Sequence, residues 1–265
     1  MYPLSDLKKF LILGIITLIT SISAIVQSFG AIDDLVVWIL LLIGFVIGFL
    51  VNGYFLKILN SSLGDLSETP VFGDWKTMFT DGLKVFLVSV VYSLPAILII
   101  IYFIPGSFEY LSLMGMDLNY LLTGLFESKI GLMFLHFIFI LNDFMIMIPE
   151  GVTAFIGILY MVAVAPVFFM ALVHMTNYDG DLKAAFRFNE IINEISEIGW
   201  GKLIIWYVTM GIIFLVLSTG INILAYILYP VSWLWVNVIV VLYSFFIAYL
   251  IMFFARSSAL LYISE

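Results

Sequence analysis

A carboxylate set inside an apolar run is the feature of this sequence best placed to do chemistry. Asp143, beside Asn142 and followed by Phe144 and Met145, interrupts the stretch Ile130–Ile148. An ionisable side chain at membrane depth is costly to hold, so by default it marks an ion or substrate path. Two readings compete for it. One is a contact for a cation or a lipid headgroup, lined by a re-entrant turn; the other is a plain polar break at the outer edge of a bilayer. The uncharged run from Ile130 to Asn142 is 13 residues long, short of the roughly 20 that a spanning helix needs. The position need not be deep, so the polar break is the preferred reading. His136 lies seven residues earlier and would share a face with Asp143 on an unbroken helix. A lone histidine on an apolar segment more often bonds backbone and is inert. Asp143, Asn142 and His136 are therefore the ligand or ion candidates of the chain.

Little else could carry a reaction. There are no cysteines, which removes disulfides, thiolate metal sites and cysteine nucleophiles together. The two histidines, His136 and His174, are too far apart in sequence to suggest a metal site. No phosphate loop, zinc-binding His-Glu-x-x-His or Gly-x-Ser-x-Gly elbow is present. The sequence thus points to no catalytic residue, no cofactor and no metal. Pro95 and Pro166 lie inside apolar stretches, where proline frees a backbone carbonyl and either kinks a helix or lines a site. They are helix-kink candidates, with kinking for packing preferred.

The elements that must position these residues are membrane spans. Hydrophobic residues make up 64% of the 265-residue chain and charged residues 11%, against the roughly 25% charge that coats a soluble domain. The outer surface must face lipid. Six stretches are long enough to cross a bilayer: 10–29, 35–59, 83–104, 152–175, 203–228 and 233–255. The first follows Lys8-Lys9 and resembles a signal peptide. It exceeds the about 7–15 apolar residues of a secretory core, so retention as an uncleaved span is expected. Segment 130–148 is expected to be re-entrant or interfacial.

Positive charge supports this count, because Lys and Arg accumulate in cytoplasmic loops. Six spans put nine of the ten basic residues inside and only Lys129 outside, whereas seven spans split them five to five. Both termini are then cytoplasmic. The outer face carries a net −6 and the inner face −2, and the acidic outer face reads first as a solvated surface. The net charge of −8 argues against nucleic acid or an anionic lipid surface as a partner.

Two amphipathic cytoplasmic helices are expected between spans. After Asp74, a plausible N-cap, Trp75, Met78, Phe79 and Leu83 recur at helical spacing, and the indole suits the headgroup zone. After Asp181, the residues Ala184, Phe188, Ile191, Ile195 and Ile198 form one face. Lys183, Arg187, Glu190, Glu194 and Glu197 form the other. That helix reads first as a brace for the bundle and second as a docking surface. Each element leads into a Gly-x-Lys unit, Gly82-Leu83-Lys84 and Gly199-Trp200-Gly201-Lys202, which hints at parallel halves. Gly44 and Gly48 offer a Gly-x-x-x-Gly face for close helix approach.

Several short motifs are similar to those of the multi-pass membrane family catalogued as domain of unknown function 4013, which occurs widely in archaea. They are Phe72-x-Asp74-Trp75, Asp81-Gly82-Leu83-Lys84, Tyr92-x-Leu94-Pro95, and the run Pro166…Ala171…Asp181-x-x-x-Ala185-Phe186 leading to Trp200. The resemblance covers nearly the whole chain. It implies a six-helix membrane domain and brings no activity or catalytic residues with it. More distantly, the layout is similar to the membrane portion of some glycerophosphodiester phosphodiesterases, without their soluble catalytic domain.

The fold expected is all-α: a polytopic helical membrane bundle with six spans, one re-entrant or interfacial segment and two amphipathic cytoplasmic helices. Three functions follow, in order of preference. They are a non-enzymatic membrane component that organises proteins or lipids, a small transporter or permease-like protein, and a membrane-embedded enzyme acting on lipid. The partners are the lipid bilayer and a membrane protein of unspecified kind.

Overall fold

Apolar runs of this length can satisfy their backbone in lipid only by helix or closed barrel. In the computed structural model, every regular element among the described residues is a helix. The structure describes residues 2–27, 29, 33–64, 68–103, 152–228 and 234–264. The helices are α1 (Leu7–Thr20), α2 (Ile22–Gln27), α3 (Asp34–Leu63), α4 (Trp75–Phe103), α5 (Val152–Asn177), α6 (Phe188–Ile198), α7 (Trp200–Leu228) and α8 (Leu234–Tyr262), with 3-10 turns at Tyr2–Leu4 and Ala184–Phe186. Four of them, α3, α4, α7 and α8, contain stretches long and apolar enough to cross a membrane, and α5 adds the shorter apolar stretch Val162–Asn177. Their outward faces are apolar too. Leu35, Ile39, Leu42 and Val46 of α3, and Ile205, Val208, Ile212 and Val216 of α7, are all exposed. Such faces belong against lipid rather than water.

Three local features differ from the sequence reading. The first apolar stretch is broken at Ser21. Thr20 turns its hydroxyl back onto the Thr17 carbonyl (2.6 Å), and the Ser21 N–H reaches back to Leu18 (3.0 Å). These bonds tighten the last turn and end α1. The expected surface helix after Asp74 is not separate, because Trp75 begins the same 29-residue helix that carries Pro95. Nothing between Thr80 and Leu83 breaks the run, since the Gly82 that could do so packs closely instead. The helix expected after Asp181 begins only at Phe188, behind the 3-10 turn, and Phe188 is half exposed. Segment 130–148, with His136, Asn142 and Asp143, lies outside the described residues.

The tightest helix pair is α3 with α4. A Cβ built on Gly53 would overlap the Met78 carbonyl oxygen, and one on Gly82 would overlap that of Phe49. The two glycines thus sit at a reciprocal crossing, each against the backbone of the other helix. Phe45, Phe49, Phe79 and Phe86 interlock beside it, with ring centroids 4.8–5.7 Å apart in edge-on contacts. Of the pair suggested by sequence, Gly44 lies against the Thr20 carbonyl (2.6 Å for a built Cβ), whereas Gly48 faces open space.

The link from α3 to α4 is strapped down by side chains. Lys9 Nζ donates to the Thr69 carbonyl (2.5 Å) and Tyr54 Oη to that of Pro70 (2.9 Å). Lys57 Nζ donates to Val71 and Gly73 (3.1 and 3.0 Å), and Phe72 stacks on Tyr54 at 3.9 Å. Asp74 then caps α4, accepting from the Thr77 hydroxyl (2.5 Å) and, at 3.5 Å, from its N–H. These bonds hold its carboxyl below the usual carboxylate range. At the other side of the bundle α1 packs along α8, where Gly14 makes room for the Phe245 ring and Phe10 lies 5.9 Å from it. Both prolines sit within continuous helices, Pro95 half-buried in α4 and Pro166 buried in α5.

Candidate functional site

The sequence between α5 and α7 must turn back on itself, and local chemistry dictates how. At the end of α5 the Gly180 N–H bonds the Met175 carbonyl (2.9 Å), with Asp179 and Gly180 both in the left-handed region (φ 53° and 73°). This is the six-to-one closure that stops a helix. Asp181 then accepts from the Lys183 N–H (3.1 Å) and starts the 3-10 turn. Ala184 and Ala185 are small enough to be fully buried, and the Tyr92 hydroxyl of α4 donates to the Ala185 carbonyl (2.8 Å). Phe186 and Phe188 flank the Tyr92 ring. Pinned there, the chain starts α6, whose apolar side places Ile191, Ile195 and Ile198 in the core. Gly199 (φ 99°) ends it and lets α7 begin at once.

That path lays α6 over His174, the last histidine of α5. Its imidazole has no exposed surface. Nδ1 lies 3.0 Å from Glu194 Oε2 and 3.3 Å from the Tyr262 hydroxyl of α8. Nε2 lies 3.4 Å from Glu190 Oε2, within ion-pair reach but off the hydrogen-bond axis. A carboxylate can only accept, so the Glu194 contact places a proton on Nδ1. Around this centre Arg187 reaches Glu190 (3.3 Å) and Asp181 (3.5 Å), and its guanidinium lies 4.9 Å from the centre of the Tyr178 ring. The Tyr178 ring in turn lies 4.6 Å from the imidazole.

One buried ring thus ties three helices together, α5, α6 and α8. Chemically the cluster can hold a proton and pass it toward water, because the Glu190 and Glu194 side chains keep 48% and 28% of their surface exposed. It contains no serine, threonine, cysteine or lysine. The two carboxylates lie against different ring nitrogens, so a single ion could not take both and the ring as ligands. Among the described residues no group of His, Cys, Asp or Glu is arranged to hold a metal.

Sequence reasoning missed this site. It set Glu190 and Glu194 on a solvated face, yet Glu194 points to His174. The available signal was a Glu-x-x-x-Glu pair, one helical turn apart, following a histidine that closes an apolar run. Of the residues singled out from sequence, Pro95 and Pro166 take no part in the cluster, and Asp143, Asn142 and His136 lie outside the described residues.

A family model described as Protein of unknown function (DUF4013) matches residues 36–226. No curated protein and no solved structure matches the chain.

Proposed function

The chain belongs to the DUF4013 family, and we propose that it serves as a non-enzymatic integral membrane component that organises proteins or lipids. On this reading it crosses the bilayer six times, over the stretches given by the sequence, with both termini in the cytoplasm and α6 at the inner face. Four helices long and apolar enough to span support a membrane location. The nine-to-one distribution of Lys and Arg supports the orientation. The observation that carries the non-catalytic role is the His174 cluster. The most polar buried group described spends its contacts joining helices, and no serine, threonine or cysteine lies among them. The exposed side of α6, with Glu197 and Asn193 outward, is left as the surface for a partner.

The test is purified protein reconstituted into liposomes, assayed for solute flux and for lipid turnover, with its migration in native membranes compared against the pure protein. The expected result is neither flux nor turnover, and a larger defined assembly in the native membrane. Saturable flux of a solute would overturn the reading in favour of a permease, and headgroup or acyl release would overturn it in favour of an enzyme.

A further inference from the structure

We propose that His174 is a proton-dependent latch: with both ring nitrogens protonated it holds α6 docked, and loss of the Nε2 proton loosens it. This goes beyond the organising role and does not depend on it. Every titratable or charged group facing the ring contributes to the argument. From α6 come Glu194 at Nδ1 and Glu190 at Nε2; from α8 comes Tyr262; Tyr178 comes from the residue just past α5; and Arg187, just before α6, reaches the same Glu190 oxygen. A neutral imidazole has one N–H and one lone pair. Glu194 and the Tyr262 oxygen claim the N–H at Nδ1, so in the neutral ring the unprotonated Nε2 faces the Glu190 carboxylate 3.4 Å away, off the hydrogen-bond axis. That contact is repulsive. A second proton turns it into an attractive ion-pair contact, and the cationic ring then lies between two carboxylates one turn apart on the same helix.

Imidazole is the side chain whose ordinary titration falls near neutral pH. The ring is sealed off, but its two carboxylate neighbours are partly exposed and give the proton a route to water. Arg187 supplies the alternative state. When Nε2 loses its proton, Glu190 keeps the guanidinium at 3.3 Å as its counter-ion, so α6 can shift without stranding a charge. The apolar side of α6 (Ile191, Ile195, Ile198) is what such a shift would uncover.

The experiment is amide hydrogen exchange of residues 188–198 on the full chain in a fixed detergent, at about pH 5.5 and about pH 8.5 and corrected for intrinsic exchange. Residues 49–58 of α3 serve as the reference for intact packing. Protection of α6 relative to the reference is expected to fall at least about tenfold at the higher pH, as for the loss of one ion-pair contact at a partly buried site. In His174→Gln the fall should vanish, with α6 weakly protected at both values. In Glu190→Gln the amide can donate to the Nε2 lone pair, so α6 should stay protected at both. Equal wild-type protection at the two pH values overturns the proposal, as does a wild-type response kept by either variant. If His174→Gln loses its reference protection and does not fold, the Glu190→Gln response decides alone.

Discussion

Replacing Gly53 by alanine adds one methyl group at the most crowded point between α3 and α4. The new Cβ would overlap the Met78 carbonyl oxygen, which belongs to the backbone of α4 and cannot rotate away. A relaxed carbon–oxygen contact needs about 3.3 Å, so the helices must separate locally by about 1.5 Å. The separation would loosen the four-phenylalanine interlock beside the crossing. Overpacking of this kind costs about 1–3 kcal/mol, and the gain in helix propensity from glycine to alanine returns about 1 kcal/mol at most. A net loss of about 1 kcal/mol, and no more than about 2, is expected. Gly82→Ala meets the Phe49 carbonyl in the same way and should cost as much. Because one separation relieves both overlaps, the double variant should fall short of the sum by about 1 kcal/mol. Gly44→Ala, against the Thr20 carbonyl, should cost less, and Gly48→Ala, facing open space, should be neutral or mildly stabilising. Denaturant or thermal unfolding in one fixed detergent gives the series. Wild-type stability in both Gly53→Ala and Gly82→Ala, or a larger loss at Gly48 than at Gly53, would refute the crossing.

Four further outcomes are expected. Cysteines placed singly at Glu109 and Glu127 should react with an impermeant maleimide from outside, and those at Glu68 and Glu190 only after permeabilisation; outside labelling at Glu190 would end the six-span reading. Ile195→Asp puts an unpaired charge on the buried side of α6 and should cost several kcal/mol, on the order of 3 or more, while Glu197→Lys on the exposed side should change stability by less than about 0.5 kcal/mol in the same unfolding assay. Tyr92→Phe removes the donor to the buried Ala185 carbonyl and should cost about 1–3 kcal/mol, an equal-stability phenylalanine variant being the refuting result. The Asp74 carboxyl is held below its ordinary range in the folded chain by Thr77, so its contribution is present above the ordinary carboxylate range and disappears as pH falls through the depressed value. Acid titration of the unfolding midpoint should therefore show a drop that Asp74→Ala lacks.

The sequence makes the helical class legible because its apolar runs are continuous and of span length, the pattern of helices rather than of the alternating strands of a barrel. Details that depend on contact are less visible. Gly44 and Gly48 advertise a close approach by their spacing, yet the tightest one uses Gly53 and Gly82, from different helices and so with no shared spacing to read. Trp75, Met78 and Phe79 have the periodicity of a surface helix, and nothing in that pattern says whether the helix stops or runs on into a span. Asp74 is legible as a cap, because capping is local. His174 is not. Its partners come from elements 16 to 88 residues away, and a single histidine in an apolar run carries no periodic signal. The acids of α6 looked solvated for a related reason: helical spacing sorts residues by face and cannot say which side chain at the boundary bends inward, as that of Glu194 does.

The packing of α1 on α8 bears on the order in which this protein can be made. Translation delivers α1 long before α8, so the side of α1 that carries Phe10 and Gly14 has no permanent neighbour in α8 until Phe245 has been synthesised. Lipid can cover Phe10 meanwhile, but it cannot fill the notch at Gly14 as the Phe245 ring does. Contacts of such sequence separation close late and slowly. The strap near Lys9 therefore gains a second use as a temporary berth, since Thr69 is available long before Phe245 and can hold α1 beside α3 while α8 is awaited.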